Sequence, residues 1–435
     1  MTAMPQWWHI WEPLAALSGL FGLGCFSTRL WVSKSSRCDA GLALTQSGLT
    51  VSRWLLAAIS SLSPFGVSIM VPLIPILSQS MHHSARELQY LFSVYVLGLA
   101  LSQPIFGIVA DRMGRRPVLL AGFAVFVGAS ALLVFAHTLR DMIILRFVQA
   151  IGVGVGTVVA RSIIRDYLPP QEALKAFGLL TAAMGFTPVI APVIGGVMAP
   201  LIGVNSVFIL LTILGIALLI LCYRHIPGGT AVGGAPNGAS LGGYVSLLRS
   251  TPFWGHTSAF GFLQGMVFTL LSTGSLLFTQ QFGLSMTAFS FVWGGSALTY
   301  VAGSFLLSHN AAIGTDKWQR RAATALAAVS VSTILLVSWQ GLSLLTVVVP
   351  FFSAMLLSGI LTPSTMFGAV NAVPQLSGSA AGLSSSMGMT MAGAFSWLGA
   401  ACYEANPAWI MLCFAGAGIG FAVCWHGAHR RNTAR

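Results

Sequence analysis

The sequence predicts an all-α integral membrane protein with twelve transmembrane helices in two six-helix halves. Three observations predict it. Asp, Glu, Lys and Arg make up only 7% of the 435 residues and hydrophobic residues make up 56%, with a mean hydropathy of +0.84. A soluble domain carries about 25% charged residues. The chain also holds twelve stretches of about 20 mainly apolar residues, the length at which a helix crosses a bilayer core and satisfies its own backbone groups there. Finally, a glycine-rich segment divides the twelve stretches six and six.

In chain order the spans fall near 54–78, 88–110, 117–136, 142–165, 174–200, 203–222, 254–278, 288–308, 321–339, 345–369, 379–401 and 407–426. Residues 54–222 form the first half and 254–426 the second. Between them, "GGTAVGGAPNGASLGGY" (228–244) has seven glycines in seventeen positions. That composition marks a flexible linker, bounded at 223–253, and residues 427–435 form a tail. Residues 1–53 fit this plan poorly. "MTAMPQWWHIWEP" has no basic leader, and Leu14–Phe26 is too short to span. The extension reads as a mis-assigned start or a disordered segment, with an interfacial helix anchored by Trp7, Trp8 and Trp11 as the alternative.

The formal charge of +12 reports orientation rather than a nucleic-acid partner. If the extension is cytoplasmic, 18 of the 21 Lys and Arg residues fall on cytoplasmic segments, Arg161 and Arg165 included. Only Arg86 and Arg140 lie opposite, and Arg146 lies within span 4. This is the positive-inside asymmetry, with both termini cytoplasmic. The six cysteines form no CxxC pair and read as small apolar filler. His82, His83 and Glu87 read as a solvated helix start rather than a metal site. Walker, Rossmann and G-x-S-x-G sequences are absent, so neither ATP-driven transport nor enzymatic activity is supported. No cofactor is expected.

Charge is concentrated in the loop between spans 2 and 3, "GIVADRMGRRPVLLAG". Gly114 permits a turn with positive φ, and Pro117 suits the first turn of a new helix. The arginines suit a cytoplasmic hairpin. Asp111 does not, because a carboxylate at the C-terminal end of span 2 is disfavoured by the helix dipole. It needs an arginine or another helix's N-terminus. Span 4 contains "LRFVQAIGVGVG", with Arg146, Gln149 and Gly152, and a buried arginine must face a polar cavity or a partner. Span 4 ends in "ARSIIRDYLP", with Arg161, Arg165 and Asp166. Span 5 contains "GFTPVIAPVIGG". Pro188 and Pro192 each remove a helix bond there, and Gly195 and Gly196 allow close approach of another helix. Small residues of span 8 ("GGSAL", 294–298) offer a matching surface.

The loop matches the G-x-x-x-D-R-x-G-R-R signature of the major facilitator superfamily in full: Gly107, Asp111, Arg112, Gly114, Arg115 and Arg116. The resemblance implies that these residues form a conformational latch between the halves, with the carboxylate facing the N-terminus of span 11, here "SGSAAGLSSS" (377–386). Span 4 resembles the family's R-x-x-Q-G pattern with its glycine one position late, and span 5 resembles the antiporter signature of drug exporters with Ala191 before Pro192. "ARSIIRDYLP" and "LSPFGVSIMVPLIP" (62–75) narrow the resemblance to Bcr/CflA-type drug-resistance exporters. The second half keeps only "GTDKWQRR" (314–321) as a remnant of the latch.

The resemblance implies a secondary transporter in a bacterial inner membrane, a monomer that exports small amphipathic compounds in exchange for protons. Two halves with a site near the midplane suit alternating access. Those exporters carry an Asp in span 1 where this chain has Ser68, and an aromatic residue where it has Met70. Every Asp and Glu lies at a span end, in a loop or in the extension. A neutral or anionic metabolite carrier without proton coupling, and a transport-deficient sensor, are therefore the alternatives. Phe65, Ser68, Met70, Tyr95, Gln149, Gln264 and Phe268 are the expected cavity lining. Because the twelve spans are complete without it, deletion of residues 1–50 should leave membrane insertion and transport intact, checked by membrane fractionation and uptake assays of the truncated chain.

Overall fold

The computed structural model describes residues 52–83, 85–226, 241–310 and 312–432. The expectations for residues 1–51, and most of the glycine-rich stretch, lie outside them. Every described element is helical, apart from turns and short connections. Helices occupy all twelve expected positions, and nine of those among the described residues are long and apolar enough to cross a membrane.

Span 1 is two helices, α1 (Arg53–Ser68) and α2 (Leu73–Met81). Residues 69–72 between them form turns. Pro64 lies inside α1 and Pro72 caps α2; each lacks the N–H that a continuous helix would use. The break falls immediately after Ser68. Spans 2–6 are α3 (Ala85–Met113), α4 (Arg115–Leu133), α5 (Leu139–Tyr167), α6 (Pro170–Ile202) and α7 (Asn205–His225). Gly114 alone separates α3 from α4, with φ 91°. α6 stays helical through Pro188, Pro192 and Pro200.

The expected linker is not all loop. Leu241–Arg249 forms a short helix, α8, and its Leu247 is buried with Phe253, Ala369, Leu376 and Ala380 of the second half. The apolar residues of "YVSLLR" give this helix a face to dock. Spans 7–12 are α9 (Thr251–Leu276), α10 (Met286–His309), α11 (Asp316–Gln340), α12 (Leu344–Asn371), α13 (Ser377–Ala405) and α14 (Trp409–Asn432). α7 and α14 each outrun the expected span ends, because polar residues continue a helix once it leaves the apolar layer. A π-helical turn at Leu277–Gln281 extends α9.

The buried apolar residues separate into two main cores. One is built from α1–α7 and joined by Phe260, Met366, Val370 and Ala381 of the second half. The other lies wholly in α9–α14. Within the first core, missing Cβ atoms set helix spacing. A Cβ on Gly152 would lie 2.5 Å from the Phe126 nitrogen and 2.7 Å from the Gly122 oxygen, so α5 and α4 are in backbone contact. Gly152→Val should therefore overpack this crossing, costing about 1–3 kcal/mol and lowering the thermal unfolding midpoint of the purified protein.

Candidate functional site

Asp111 lies in the last turn of α3 with its side chain 1% exposed. Its own helix dipole opposes the charge, and the first turn of α13 supplies what is missing. Gly378 N donates to Oδ1 (3.0 Å), Ser379 N to Oδ2 (2.7 Å) and the Ser379 hydroxyl to Oδ2 (2.6 Å). The carboxylate thus uses the orphan N–H groups at a helix start. Arg115, one turn on, donates from Nη1 to Asp111 (2.7 Å) and from Nη2 to Asp166 of α5 (3.1 Å) and Ser377 Oγ (2.8 Å). Ser377 donates in turn to Asp166 (3.0 Å), which also pairs with Arg165 at 3.3 Å. One guanidinium therefore bridges two buried carboxylates and the opposite half. Charge-assisted bonds of this kind are the strong ones, and removing one partner of a buried pair costs about 3–5 kcal/mol.

The glycines of the signature now have a steric reason. Gly107 shares a face of α3 with Asp111, and a Cβ on it would lie 2.4 Å from the Gly378 carbonyl oxygen. On Gly382, one turn further along α13, a Cβ would lie 2.2 Å from the Gln103 carbonyl oxygen. Ser386 donates to the Ala100 carbonyl (2.9 Å). Backbone meets backbone along this α3–α13 seam, so the halves are closed at the latch end. Arg116 does something else: it donates to the Tyr223 carbonyl (2.6 Å) in the last turn of α7 and covers the Tyr223 ring, all within the first half. Arg112 is exposed on the end of α3.

Arg146 and Gln149 are fully buried within the first half. Arg146 donates to the Gly66 carbonyl (2.9 Å) and to Gln149 (2.5 Å), and its guanidinium lies 4.0 Å from the centre of the Tyr95 ring. Gln149 donates to Ser130 (2.7 Å) and Tyr95 to the Ser63 carbonyl (3.3 Å). Gly66 lies in the last turn of α1, so Arg146 caps a carbonyl freed by the break in span 1. Its Nε is buried without a hydrogen-bond partner. Arg146 neither snorkels to the interface nor faces a neighbouring half. Met70, Tyr95 and Gln149 lie in this interior, whereas Phe65, Ser68, Gln264 and Phe268 are partly exposed.

Two expectations are corrected. Gly195 and Gly196 of α6 face the break in span 1, not span 8: a Cβ on Gly195 would lie 2.6 Å from the Ile69 oxygen, and Pro72 is the neighbour of Gly196. Gly295 of span 8 lies against Phe352 instead, and spans 5 and 8 meet further along, at Gly178 with Ser304 and Ser308. A chain can match two small surfaces by size, but helix rotation decides which of them meet. Arg161, counted with the loop charges, is a buried residue about two turns inside α5. The sequence also gave no signal that Cys402 and Cys413 of neighbouring α13 and α14 would lie with sulfurs 3.1 Å apart.

In the second half, Asp316 accepts from Arg320 on its own helix (2.7 and 3.0 Å), and the pair is exposed. Beside it a cavity of about 450 Å³ is lined by His256, Gln319, Ser364, Asn371 and Trp425 among others. No group of three or more potential metal ligands occurs among the described residues.

Twelve helices in two six-helix halves, joined by a buried charge cluster, form the fold of a membrane transporter. The chain belongs to the Major Facilitator Superfamily, whose profile matches residues 56–397. It is 27% identical to the MFS-type transporter YdgK of Bacillus subtilis over 76% of this chain and 83% of that protein. It is 35% identical to the multidrug resistance protein MdtL of Klebsiella pneumoniae over 39% of this chain and 44% of MdtL, so it matches less than half the length of that relative. Among solved structures, the human organic anion transporter MFSD10 (TETRAN) superposes with a TM-score of 0.67 at 16% identity, and FucP in the outward conformation with 0.68 at 12%. Each covers 86% of this chain and 98% of the solved one, which shows the fold. The protein is a transporter and not an enzyme.

Asp111→Asn should weaken the seam, because the amide loses its attraction to both the α13 N-terminus and Arg115. In a background without the native cysteines, a cysteine at buried Ala381 should then react severalfold faster with a membrane-impermeant maleimide, while the amount of inserted protein is unchanged.

Proposed function

We propose that this transporter exports small amphipathic compounds across a bacterial inner membrane as a monomer, with the Asp111 cluster as the latch that shuts its cytoplasmic end. The observation that carries the reading is the Asp111 carboxylate held by the N-terminus of α13 across the two halves. Such a carboxylate is stable only while the partner helix is in place, so the contact favours one of two states. The excess of Lys and Arg at the latch end supports a cytoplasmic placement. The span 4 and span 1 motifs, and the similarity to MdtL, a multidrug resistance protein, support a Bcr/CflA-type exporter.

Proton coupling takes an indirect form in this reading. Ser68 stands at the break of span 1 where such exporters have an acid, and the described carboxylates (Glu87, Asp111, Asp141, Asp166, Glu172, Asp316 and Glu404) lie at helix ends. That distribution favours the second reading as well, a carrier of neutral or anionic metabolites without proton exchange. Without a cavity carboxylate, a lipophilic cation gains no ionic partner.

Proteoliposome efflux of an amphenicol and of tetraphenylphosphonium, with and without an imposed pH gradient, tests the proposal. The wild type should move the amphenicol in preference, with weak dependence on the gradient. Ser68→Asp should raise tetraphenylphosphonium efflux and make it gradient-sensitive. Strong gradient-driven efflux of tetraphenylphosphonium by the wild type overturns the coupling assignment, and movement of neither compound favours the sensor reading.

A further inference from the structure

Arg161, like Arg146, is a buried cation whose charge the latch does not use. It is 8% exposed and sits between the halves. Its Nη1 donates to the Ser385 hydroxyl of α13, and its Nη2 reaches the Met184 sulfur of α6 at 4.0 Å. Among the described residues no carboxylate pairs with it, and the titratable group that acts on it is the Tyr300 phenol of α10. Met184 and Tyr300 are both partly exposed, and Tyr300 packs over Gly185, where a Cβ would lie 2.8 Å from the ring. Three helices, one of its own half and two of the other, thus converge on the Arg161 guanidinium and offer it neutral groups.

The contrast with Arg146 is informative. Arg146 is bonded and capped inside one half by a carbonyl, an amide and an aromatic face, so motion between the halves leaves its partners in place. The hydroxyl partner of Arg161 is on the other half. When the seam parts, Ser385 withdraws with α13 and the guanidinium is left to an acceptor from the opened space. A buried charge with neutral partners is unfavourable, and a guanidinium fork matches planar or tetrahedral anions with paired donors.

We propose that Arg161 reads the charge of the cargo: in the state with the seam open, its guanidinium binds the anionic group of a small amphipathic compound, a carboxylate or sulfonate on an apolar body. This rests on the transporter reading above and assigns it a substrate class. Met184 and Tyr300 supply the apolar and aromatic walls beside the charge. Ser385 competes with the anion for Arg161, so anion binding favours the open seam and release accompanies its closing.

The test is equilibrium dialysis of tritiated naphthalene-1-sulfonate and its neutral isostere naphthalene-1-sulfonamide against the full chain in phosphatidylcholine nanodiscs. The wild type should bind the sulfonate about tenfold tighter than the sulfonamide or better. Arg161→Gln should remove that preference, Arg161→Lys should keep part of it, and Ser385→Ala should tighten sulfonate binding by relieving the competition. Equal binding of the two compounds by the wild type, or a preference that survives in Arg161→Gln, overturns the proposal. Should Arg161→Gln fail to insert, Ser385→Ala decides, and unchanged sulfonate affinity overturns it. Efflux from wild-type proteoliposomes is read separately: charge discrimination in binding without efflux of either compound upholds Arg161 and overturns the export reading.

Discussion

The first turn of α13 against Asp111 is the interaction on which the rest of the structure depends. Alone, α3 would end in a carboxylate opposed by its own dipole, and α13 would begin with unpaired N–H groups. Each defect cures the other, at Gly378 and Ser379. The cure requires backbone contact, which explains Gly107, Gly378 and Gly382 along the seam. It also explains why α13 opens on serines, glycines and alanines rather than leucine. Arg115 then turns a pairwise contact into a network by adding Asp166 and Ser377. The network joins the two halves at one end of a seam that the first apolar core also crosses, through Phe260, Met366, Val370 and Ala381.

α5 carries two buried arginines with opposite tasks. Arg146 belongs to the architecture of the first half, where it caps the end of α1 and permits span 1 to break at a depth where unpaired carbonyls would be costly. Gly66 admits the Tyr95 hydroxyl beside it, since a Cβ there would lie 2.3 Å from that oxygen. Arg161, about 22 Å further along the helix by its rise of about 1.5 Å per residue, lies where the halves meet. The same residue type is structural in one place and state-dependent in the other. The difference is whether its partners share its rigid body.

The two halves are related in plan but unequal in chemistry. The sequence "DRMGRR" of the first half has its counterpart "DKWQRR" in the second, where Gln319 stands in place of Gly114. Gln319 donates to the Ile313 carbonyl and accepts from Ser364, tying its own loop to α12. Asp316 pairs within its helix instead of being buried beneath a neighbour. The carboxylate buried across the halves is supplied by the first half, and a cavity lined by His256 and Asn371 lies at the same end of the second.

Hydropathy by itself determined the membrane-spanning class and the positions of the helices, because leaving water is a property each segment has alone. The dipole argument marked Asp111 as a residue in need of a partner, and the loop signature pointed to the start of span 11. The positive φ at Gly114 was readable from its place in a short turn between two helices. Tertiary structure decided the pairings: Arg115 with Asp166, Arg146 with the Gly66 carbonyl, Gly195 with Ile69, Arg161 with Ser385. These join residues up to 224 positions apart and depend on how each helix is rotated about its axis. Apolar residues surround most of these helices on every side, so periodicity does not mark the face that turns inward. That rotation is set by close packing of small residues against backbone, which exists only once the partner helix has arrived.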